Sequence, residues 1–205
     1  MKKLIAYSSV GHMGFVTLGI FVLNTRGLEG AILQMINHGV TTGALFFCVG
    51  MIYERTHSRE LATAAGIGKF MPIYVTFLAF FSLSSLAFPG TNSFVGEFLI
   101  LVGSFSLNKT LAVCAIPGAV LAAAYMLRML QRMIWGGTNN PDHTGLVDLN
   151  LREILTLAPL LLFVFWIGLS PDPFMKVMHT SVGHLLEQVG SASGAAVSVA
   201  GVMLP

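Results

Sequence analysis

The sequence predicts an all-α membrane protein, a polytopic bundle of about five spanning helices, on the strength of its composition and its apolar stretches. Of its 205 residues, 55% are hydrophobic and only 10% are charged, and the mean hydropathy is +0.78. A soluble domain carries roughly 25% charged residues, so this chain has too little polar surface to stay in water. The formal charge of +2 is too small and too scattered for a nucleic-acid patch. Cys48 and Cys114 lie in apolar runs, which indicates neither a disulfide framework nor a metal site.

Four apolar stretches are long enough to cross a bilayer, which takes about 20 residues with a range of about 17–25. They are residues 4–23, 31–53, 111–128 and Leu151–Leu169. The third stretch is expected to continue as a helix to about Trp135. Each of these stretches therefore predicts one complete transmembrane helix.

Two further apolar stretches, residues 73–88 and 94–105, are each too short to span a membrane alone. They are joined by Pro89-Gly-Thr-Asn-Ser93, which carries no charge and contains two residues that interrupt helices. Irregular backbone at membrane depth is tolerated where protein or water satisfies it. We therefore predict that the two stretches are halves of one broken span, with the break at Pro89 and Gly90.

The distribution of basic residues favours the broken span over two separate spans. With five spans and the N-terminus inside, eight basic residues lie on the inner side and three on the outer side. Two separate short spans would instead give seven against four. The inner set is Lys2, Lys3, Arg55, Arg59, Lys69, Arg128, Arg132 and Arg152, and the outer set is Arg26, Lys109 and Lys176.

Two regions follow from these patterns, a membrane bundle over residues 1–170 and a C-terminal region over residues 171–205. Pro171-Asp-Pro173 interrupts the chain after the last span. Apolar residues then recur at helical spacing, which predicts a short amphipathic helix at the membrane surface or against a partner. They are Phe174, Met178, Val182, Leu185, Leu186 and Val189. From Gly190 onward we expect a flexible tail.

Ionisable groups inside spans are costly, so Glu97 is the first candidate for a functional residue. If Asn92 or Ser93 capped the second half-helix, Glu97 would lie at the end of its first turn. The helix dipole would then favour the carboxylate, whereas burial favours the neutral acid. Such a balance suits a proton carrier. The alternative is that Glu97 only caps its half-helix or pairs with a cation.

Two histidines lie among polar residues in otherwise apolar spans. His38 shares one helix face with Gln34, Asn37, Thr41 and Thr42, and His12 has Ser8 and Ser9 one turn away. A polar face in a span indicates a protein interior or a hydrated path, and histidine titrates near neutral pH. The alternative is hydrogen bonding that only holds helices together. Neither histidine has neighbours at metal-ligand spacing, so no metal site is predicted.

Several motifs together resemble one family of membrane proteins. They are Lys3-Leu-Ile-Ala-Tyr-Ser-Ser9, Gly11-His-Met-Gly14, Asn37-His-Gly39, Tyr53-Glu-Arg-Thr-His57 and Pro89-Gly-Thr-Asn-Ser-Phe-Val-Gly-Glu-Phe98. These motifs resemble the antiporter-like subunits of respiratory complex I, and most of all the proton-translocating M type (chain 4 type) of NADH:quinone oxidoreductase. The resemblance runs from Lys2 to about Gln188.

The resemblance implies a function and a set of residues for it. Glu97 would exchange protons at the broken helix, and His12 and His38 would lie on a hydrophilic axis at mid-membrane. The polar residues near them would support that axis, and no residue would be catalytic. Neighbouring antiporter-like subunits and lipid would be the partners, and NADH, FMN, iron–sulfur clusters and quinone would bind elsewhere in the complex. The location implied is the inner (cytoplasmic) membrane of a cell rather than the mitochondrial inner membrane.

The family chain is longer than this one, and the match begins within a motif at Lys2. The resemblance therefore implies a C-terminal fragment that lacks the first repeat and its channel lysines. Three alternatives stay open: a subunit of a multi-subunit cation/proton antiporter, a subunit of a membrane-bound hydrogenase, and a purely structural membrane protein. Related antiporter chains usually have lysine where this chain has Glu97, which disfavours the first.

Overall fold

A computed structural model of the protein describes residues 1–137 and 145–202, with side chains up to Ala192. The described residues form α-helices and one 3-10 turn at Ile67–Lys69, without a strand, so the predicted all-α bundle is confirmed. The helices are α1 Lys2–Phe21, α2 Thr25–Thr56, α3 Pro72–Ser85, α4 Asn92–Leu107, α5 Lys109–Trp135, α6 Leu151–Leu169 and α7 Asp172–Val202. By length and composition, α1, α2, α5 and α6 can each cross a membrane, while α3 and α4 are shorter apolar helices.

The short helices α3 and α4 lie end to end along α2, as the broken-span prediction requires. Five hydrogen bonds join α2 to these two helices. From the C-terminal part of α2 towards its start, they link Cys48 to Tyr74, Thr41 to Ser84, Asn37 to Asn92, Gln34 to Glu97 and Asn24 to Gly103. This order is antiparallel and unbroken. From Asn24 to Cys48 the helix is about 36 Å long, at 1.5 Å per residue. This length is somewhat more than the roughly 30 Å thickness of the hydrocarbon core of a bilayer.

The backbone between α3 and α4 adopts conformations that a helix cannot contain. Ala87 has φ of +57° and Gly90 has φ of +92°, both in the left-handed region. Pro89 lies between them and lacks a backbone donor. Gly168 of α6 packs directly against Gly90, where a side chain on Gly168 would collide with the backbone of the break. The break is thus covered by protein on the side of α6, whereas Phe88 and Pro89 are exposed.

Helices α2 and α4 approach each other through glycines. A Cβ atom on Gly103 would lie 2.6 Å from the backbone nitrogen of Gly27 and 2.8 Å from Oδ1 of Asn24. Asn24 also donates to the Gly103 carbonyl at 2.8 Å, so the same contact holds the start of α2 against α4. Absence of side chains at these positions lets the backbones touch.

We expect Gly103→Ala to destabilise the bundle by about 1–3 kcal/mol, because the added methyl group meets backbone that cannot move aside. The measurement is the free energy of unfolding in mixed micelles titrated with a denaturing detergent. Gly39→Ala is the matched control, since a Cβ atom at Gly39 has nothing within 4 Å. Equal stability of the two variants would contradict the close-packing explanation.

Helix α2 begins at Thr25, six residues before the predicted start of the second span. Asn24 is its N-cap, with Oδ1 accepting a hydrogen bond from the Gly27 backbone at 2.7 Å. The added turn includes Glu29, which is 6% exposed and whose Oε1 lies 2.6 Å from Nδ1 of His179 in α7. In the described ranges the buried carboxylates are thus Glu29 and Glu97, whereas the sequence pattern identified Glu97 alone.

The C-terminal helix α7 differs in length from the amphipathic helix predicted for this region. Helix α7 contacts α2, and Val182 of the apolar stripe is buried, whereas Leu185 and Val189 are exposed. The helix continues past Gly190, where a flexible tail was predicted, and runs to Val202. The alanines of this segment favour helix, and no proline interrupts it before Pro205.

The basic residues assigned to the inner side gather at one end of the bundle. Arg55 at the end of α2 pairs with Glu153 at the start of α6. The amino group of Met1 donates to the carbonyl of Arg59, and the backbone nitrogen of Gly66 donates to the carbonyl of Arg132. These contacts bring four helix ends together at one end of the bundle. They are the starts of α1 and α6 and the C-terminal ends of α2 and α5. This arrangement agrees with the predicted topology.

Candidate functional site

Glu97 lies in the second turn of α4 and is 5% exposed. The helix begins at Asn92 with Thr91 as its N-cap, so the expected cap at Asn92 or Ser93 is wrong. Thr91 instead donates its hydroxyl to the carbonyl of Phe88 within the break. Because the helix dipole acts mainly within the first turn, it contributes less to Glu97 than the sequence suggested. Glu97 instead contacts side chains from α1 and α2.

Two buried polar side chains, one from α1 and one from α2, meet Glu97 of α4. Nδ1 of His12, from α1, lies 2.8 Å from Oε1 of Glu97. Nε2 of Gln34, from α2, donates to the same oxygen at 3.1 Å. His12 is 4% exposed and Gln34 is 1% exposed, so the contact is shielded from solvent. His12 is the only ion-pair partner of Glu97 in the part of the chain that the structure describes.

The second ring nitrogen of His12 extends this contact across the broken helix. Nε2 lies 3.3 Å from the hydroxyl oxygen of Ser85, the last residue of α3. The histidine thus bridges Glu97 in α4 and Ser85 in α3. Sequence reasoning did not identify Ser85, because a serine within an apolar run carries no signal of its own. Its position next to the predicted break was the available clue.

A second polar cluster fixes the break against α2. Asn37 donates to the carbonyl of Asn92 at 2.7 Å, and the hydroxyl of Ser84 donates to Oδ1 of Asn92 at 2.6 Å. Thr41 lies 2.9 Å from the Ser84 hydroxyl and also bonds to Asn92. These side chains link α2 to both ends of the break. Asn37 and Thr41 were predicted as supporting residues, whereas Asn92 was expected only as a cap.

His38 lies close to this site but is not hydrogen bonded to it. Its ring centroid is 5.5 Å from that of His12, and its Nδ1 lies 3.1 Å from the hydroxyl of Thr42 in the same helix. The supporting residues predicted in α1, Ser8 and Ser9, also form no hydrogen bond to Glu97. Ser8 donates to the carbonyl of Ile5, and within the described ranges the side chain of Ser9 forms no hydrogen bond.

A cavity of about 230 Å³ opens beside Glu97, between α1 and α5. Its lining includes both members of the buried pair and two tyrosines, and Gly11 and Gly118 keep it open. These lining residues are Tyr7, Gly11, His12, Glu97, Gly118 and Tyr125. The cavity gives the buried carboxyl group a route to the outer surface of α1 and α5. Across the described residues, no group of three or more metal-ligand side chains is present.

Residues 1–122 match the family described as "NADH:quinone oxidoreductase/Mrp antiporter, TM". The chain is 47% identical over 187 residues to the NADH-ubiquinone oxidoreductase chain 4 of Prototheca wickerhamii, an alignment covering 91% of this chain and 36% of that protein. It is 44% identical over 187 residues to the NADH-quinone oxidoreductase subunit M of Rhodobacter capsulatus, again covering 91% and 36%. The chain thus spans little more than a third of the length of these relatives.

Two solved structures resemble the fold. Respiratory complex I from Thermus thermophilus with bound NADH contains a chain that superposes with a TM-score of 0.84 and 29% identity, covering 91% of this chain and 39% of that one. The Mrp complex from Dietzia sp. DQ12-45-1b gives a TM-score of 0.65 at 19% identity, covering 92% of this chain and 24% of that one. At that identity the second similarity shows the fold alone.

Proposed function

Because this chain belongs to the NADH:quinone oxidoreductase/Mrp antiporter membrane family, we propose that it forms part of a proton channel coupled to electron transfer from NADH to quinone. It would supply the C-terminal part of a subunit of the M or chain 4 type. The observation that supports this proposal most is the buried contact between His12 and Glu97 beside a broken helix. Ionisable side chains inside membrane spans are rare and typically mark pathways for ions or protons.

In this proposal, His12 and Glu97 transfer a proton along their 2.8 Å contact. A proton that arrives at Nε2 of His12, from the side of Ser85, allows another to leave Nδ1 towards Glu97, so the ring need not turn. The pair has two forms of equal net charge, neutral histidine with glutamic acid and imidazolium with glutamate. Gln34 donates to the oxygen of Glu97 that faces His12 and so holds the carboxyl group in position for this transfer.

A change in nearby charge would shift the balance between these two forms. Charges interact strongly in a buried environment of low dielectric constant, so an ion or dipole that moves in an adjacent subunit can change the proton affinity of Glu97. Glu97 would then load or release its proton, and the cavity beside it would provide the path to one side of the membrane. The ring nitrogens of His12 face Glu97 and Ser85, and Nδ1 of His38 faces Thr42, so transfer between the two histidines would need a bridging water.

The remaining parts of the reaction would lie outside this chain. We propose that NADH, FMN, the iron–sulfur clusters and quinone bind to other subunits, and that this chain contributes proton transfer only. Other membrane subunits, including neighbouring antiporter-like ones, would be its partners. The cytoplasmic (inner) membrane of a cell would be its location, with the basic end of the bundle towards the cytoplasm.

Purification of the native complex through an affinity tag on this chain tests the proposal. Reconstituted into vesicles, the complex is expected to acidify the lumen when NADH and quinone are supplied, and an uncoupler is expected to abolish that signal. The alternative, a subunit of a cation/proton antiporter, is consistent with the family description and with the fold of the Mrp complex. Proton exchange driven by a sodium gradient without NADH would support that alternative and contradict ours.

A further inference from the structure

The outer face of α5 carries a groove near the end of the helix, here called the arginine groove. It is lined by Ala124, Leu127, Arg128, Gln131, Arg132 and Trp135, and its volume is about 760 Å³. All six side chains are exposed. The opposite face of the same turns holds Met126, Met129 and Met133, which are buried in the bundle. The arginine groove therefore opens away from the protein interior.

Among the residues that the structure describes, no carboxylate neutralises the two arginines of the groove. Arg128 and Arg132 lie one helical turn apart, and within residues 1–137 and 145–202 neither forms a salt bridge. Arg55, at the same end of the bundle, shows the contrast, because it pairs with Glu153. Two adjacent guanidinium groups without a carboxylate partner suit a phosphate group, whose oxygens accept paired hydrogen bonds from arginine.

The position of the arginine groove matches the depth of lipid headgroups. The carbonyl of Arg132 accepts a hydrogen bond from Gly66, which places this turn at the basic end of the bundle. Trp135 is 76% exposed in the last turn of α5, where tryptophan is typical of the boundary between water and lipid. Deeper in the membrane, Ala124 and Leu127 give the groove an apolar wall.

We propose that the arginine groove binds an anionic phospholipid. The phosphate would lie between Arg128 and Arg132, with Gln131 as an additional donor, and an acyl chain would follow Leu127 and Ala124 towards the bilayer centre. The basic side of a membrane protein normally faces the leaflet that is richer in anionic lipid, so the charge of the groove and that of its surroundings are complementary. This proposal does not depend on the proposed function of the chain.

Trp135 itself can report on the lipid that occupies the groove. Trp166→Phe removes the other tryptophan, and the 205-residue chain is reconstituted into phosphatidylcholine vesicles. Increasing fractions of acyl-brominated phosphatidylglycerol or acyl-brominated phosphatidylcholine are added, and quenching of Trp135 fluorescence gives the relative association of each. We expect about fivefold or greater preference for the anionic lipid, since each arginine near a membrane surface contributes about that factor.

The same measurement on charge variants distinguishes lipid binding in the arginine groove from a general attraction of anionic lipid to the basic protein. Arg128→Gln with Arg132→Gln should reduce the preference to near unity. Arg26→Gln with Lys109→Gln, which removes two exposed charges at the other end of the bundle, should leave it unchanged. Equal quenching by both lipids, or a preference that survives loss of Arg128 and Arg132, would overturn the proposal. Quenching by neither lipid would also overturn it, because protein would then cover the groove.

Discussion

We expect Glu97→Gln to abolish proton translocation through this channel while the bundle stays folded. Glutamine has nearly the same shape as glutamate, and it can still bond to His12 and Gln34 at the positions seen here. It cannot take up or release a proton at neutral pH. The substitution therefore removes only the proton exchange, which is the role we propose for this side chain.

The measurement is the number of protons moved per electron in vesicles that contain the complete complex. NADH oxidation by quinone is followed together with the acidification of the lumen, and the ratio in the variant is expected to fall by the share of this channel. Glu29→Gln is the matched control, because it changes a second buried, histidine-paired carboxylate of the same bundle outside the contact at Glu97. Its ratio is expected to stay at the wild-type value.

The purely structural alternative predicts a different result. If Glu97, His12 and His38 only hold helices together, neutralising all three leaves the proton ratio unchanged and lowers stability alone. An unchanged ratio in Glu97→Gln would therefore refute the channel role. If Glu29→Gln lowers the proton ratio as much as Glu97→Gln does, the loss of any buried carboxylate, rather than the loss of Glu97, causes the decrease.

The broken span was predictable because length is a strict constraint in a bilayer. Residues 73–88 and 94–105 are too short to cross alone, and the residues between them favour a break. What the sequence could not reveal is how the break packs against α2 and α6. That depends on Asn92, Ser84 and Gly168, which meet through tertiary contacts and carry no periodic pattern.

The candidate site was partly predictable for a similar reason. Glu97, His12 and Gln34 stand out because each is a polar residue in an apolar stretch, although their mutual contact depends on how three helices pack. Glu29 was missed because the glycines and charges near it read as a loop before the second span. Its partner His179 lies 150 residues away in the chain, so local sequence could not reveal that pairing.

Arg55, near the end of α2, was assigned to the inner side of the membrane, and its position in the sequence did not indicate its partner. Its guanidinium group bonds to both carboxylate oxygens of Glu153, at 2.8 and 2.6 Å, and to the carbonyls of Met51, Val147 and Asp148. The side chains of the pair are only 13% and 12% exposed. Arg55 therefore joins the end of α2 to the segment that leads into α6.

We expect Arg55→Gln to lower the free energy of unfolding by about 3 kcal/mol, because it leaves the largely buried Glu153 carboxylate without its cation. Unfolding in mixed micelles titrated with a denaturing detergent measures the change. Arg152→Gln is the control: it removes the same charge next to Glu153, from an exposed side chain that has no ion pair in the described ranges.

Glu153→Gln in the Arg55→Gln background distinguishes an unpaired charge from lost hydrogen bonds. If the unpaired carboxylate causes the loss, the double variant should regain part of the stability, since no buried charge remains. If the loss comes from the bonds to Val147 and Asp148, the second substitution should restore nothing. Equal stability of Arg55→Gln and Arg152→Gln would mean that the pair contributes no more than an exposed charge, and that the junction between α2 and α6 is held by its apolar contacts alone.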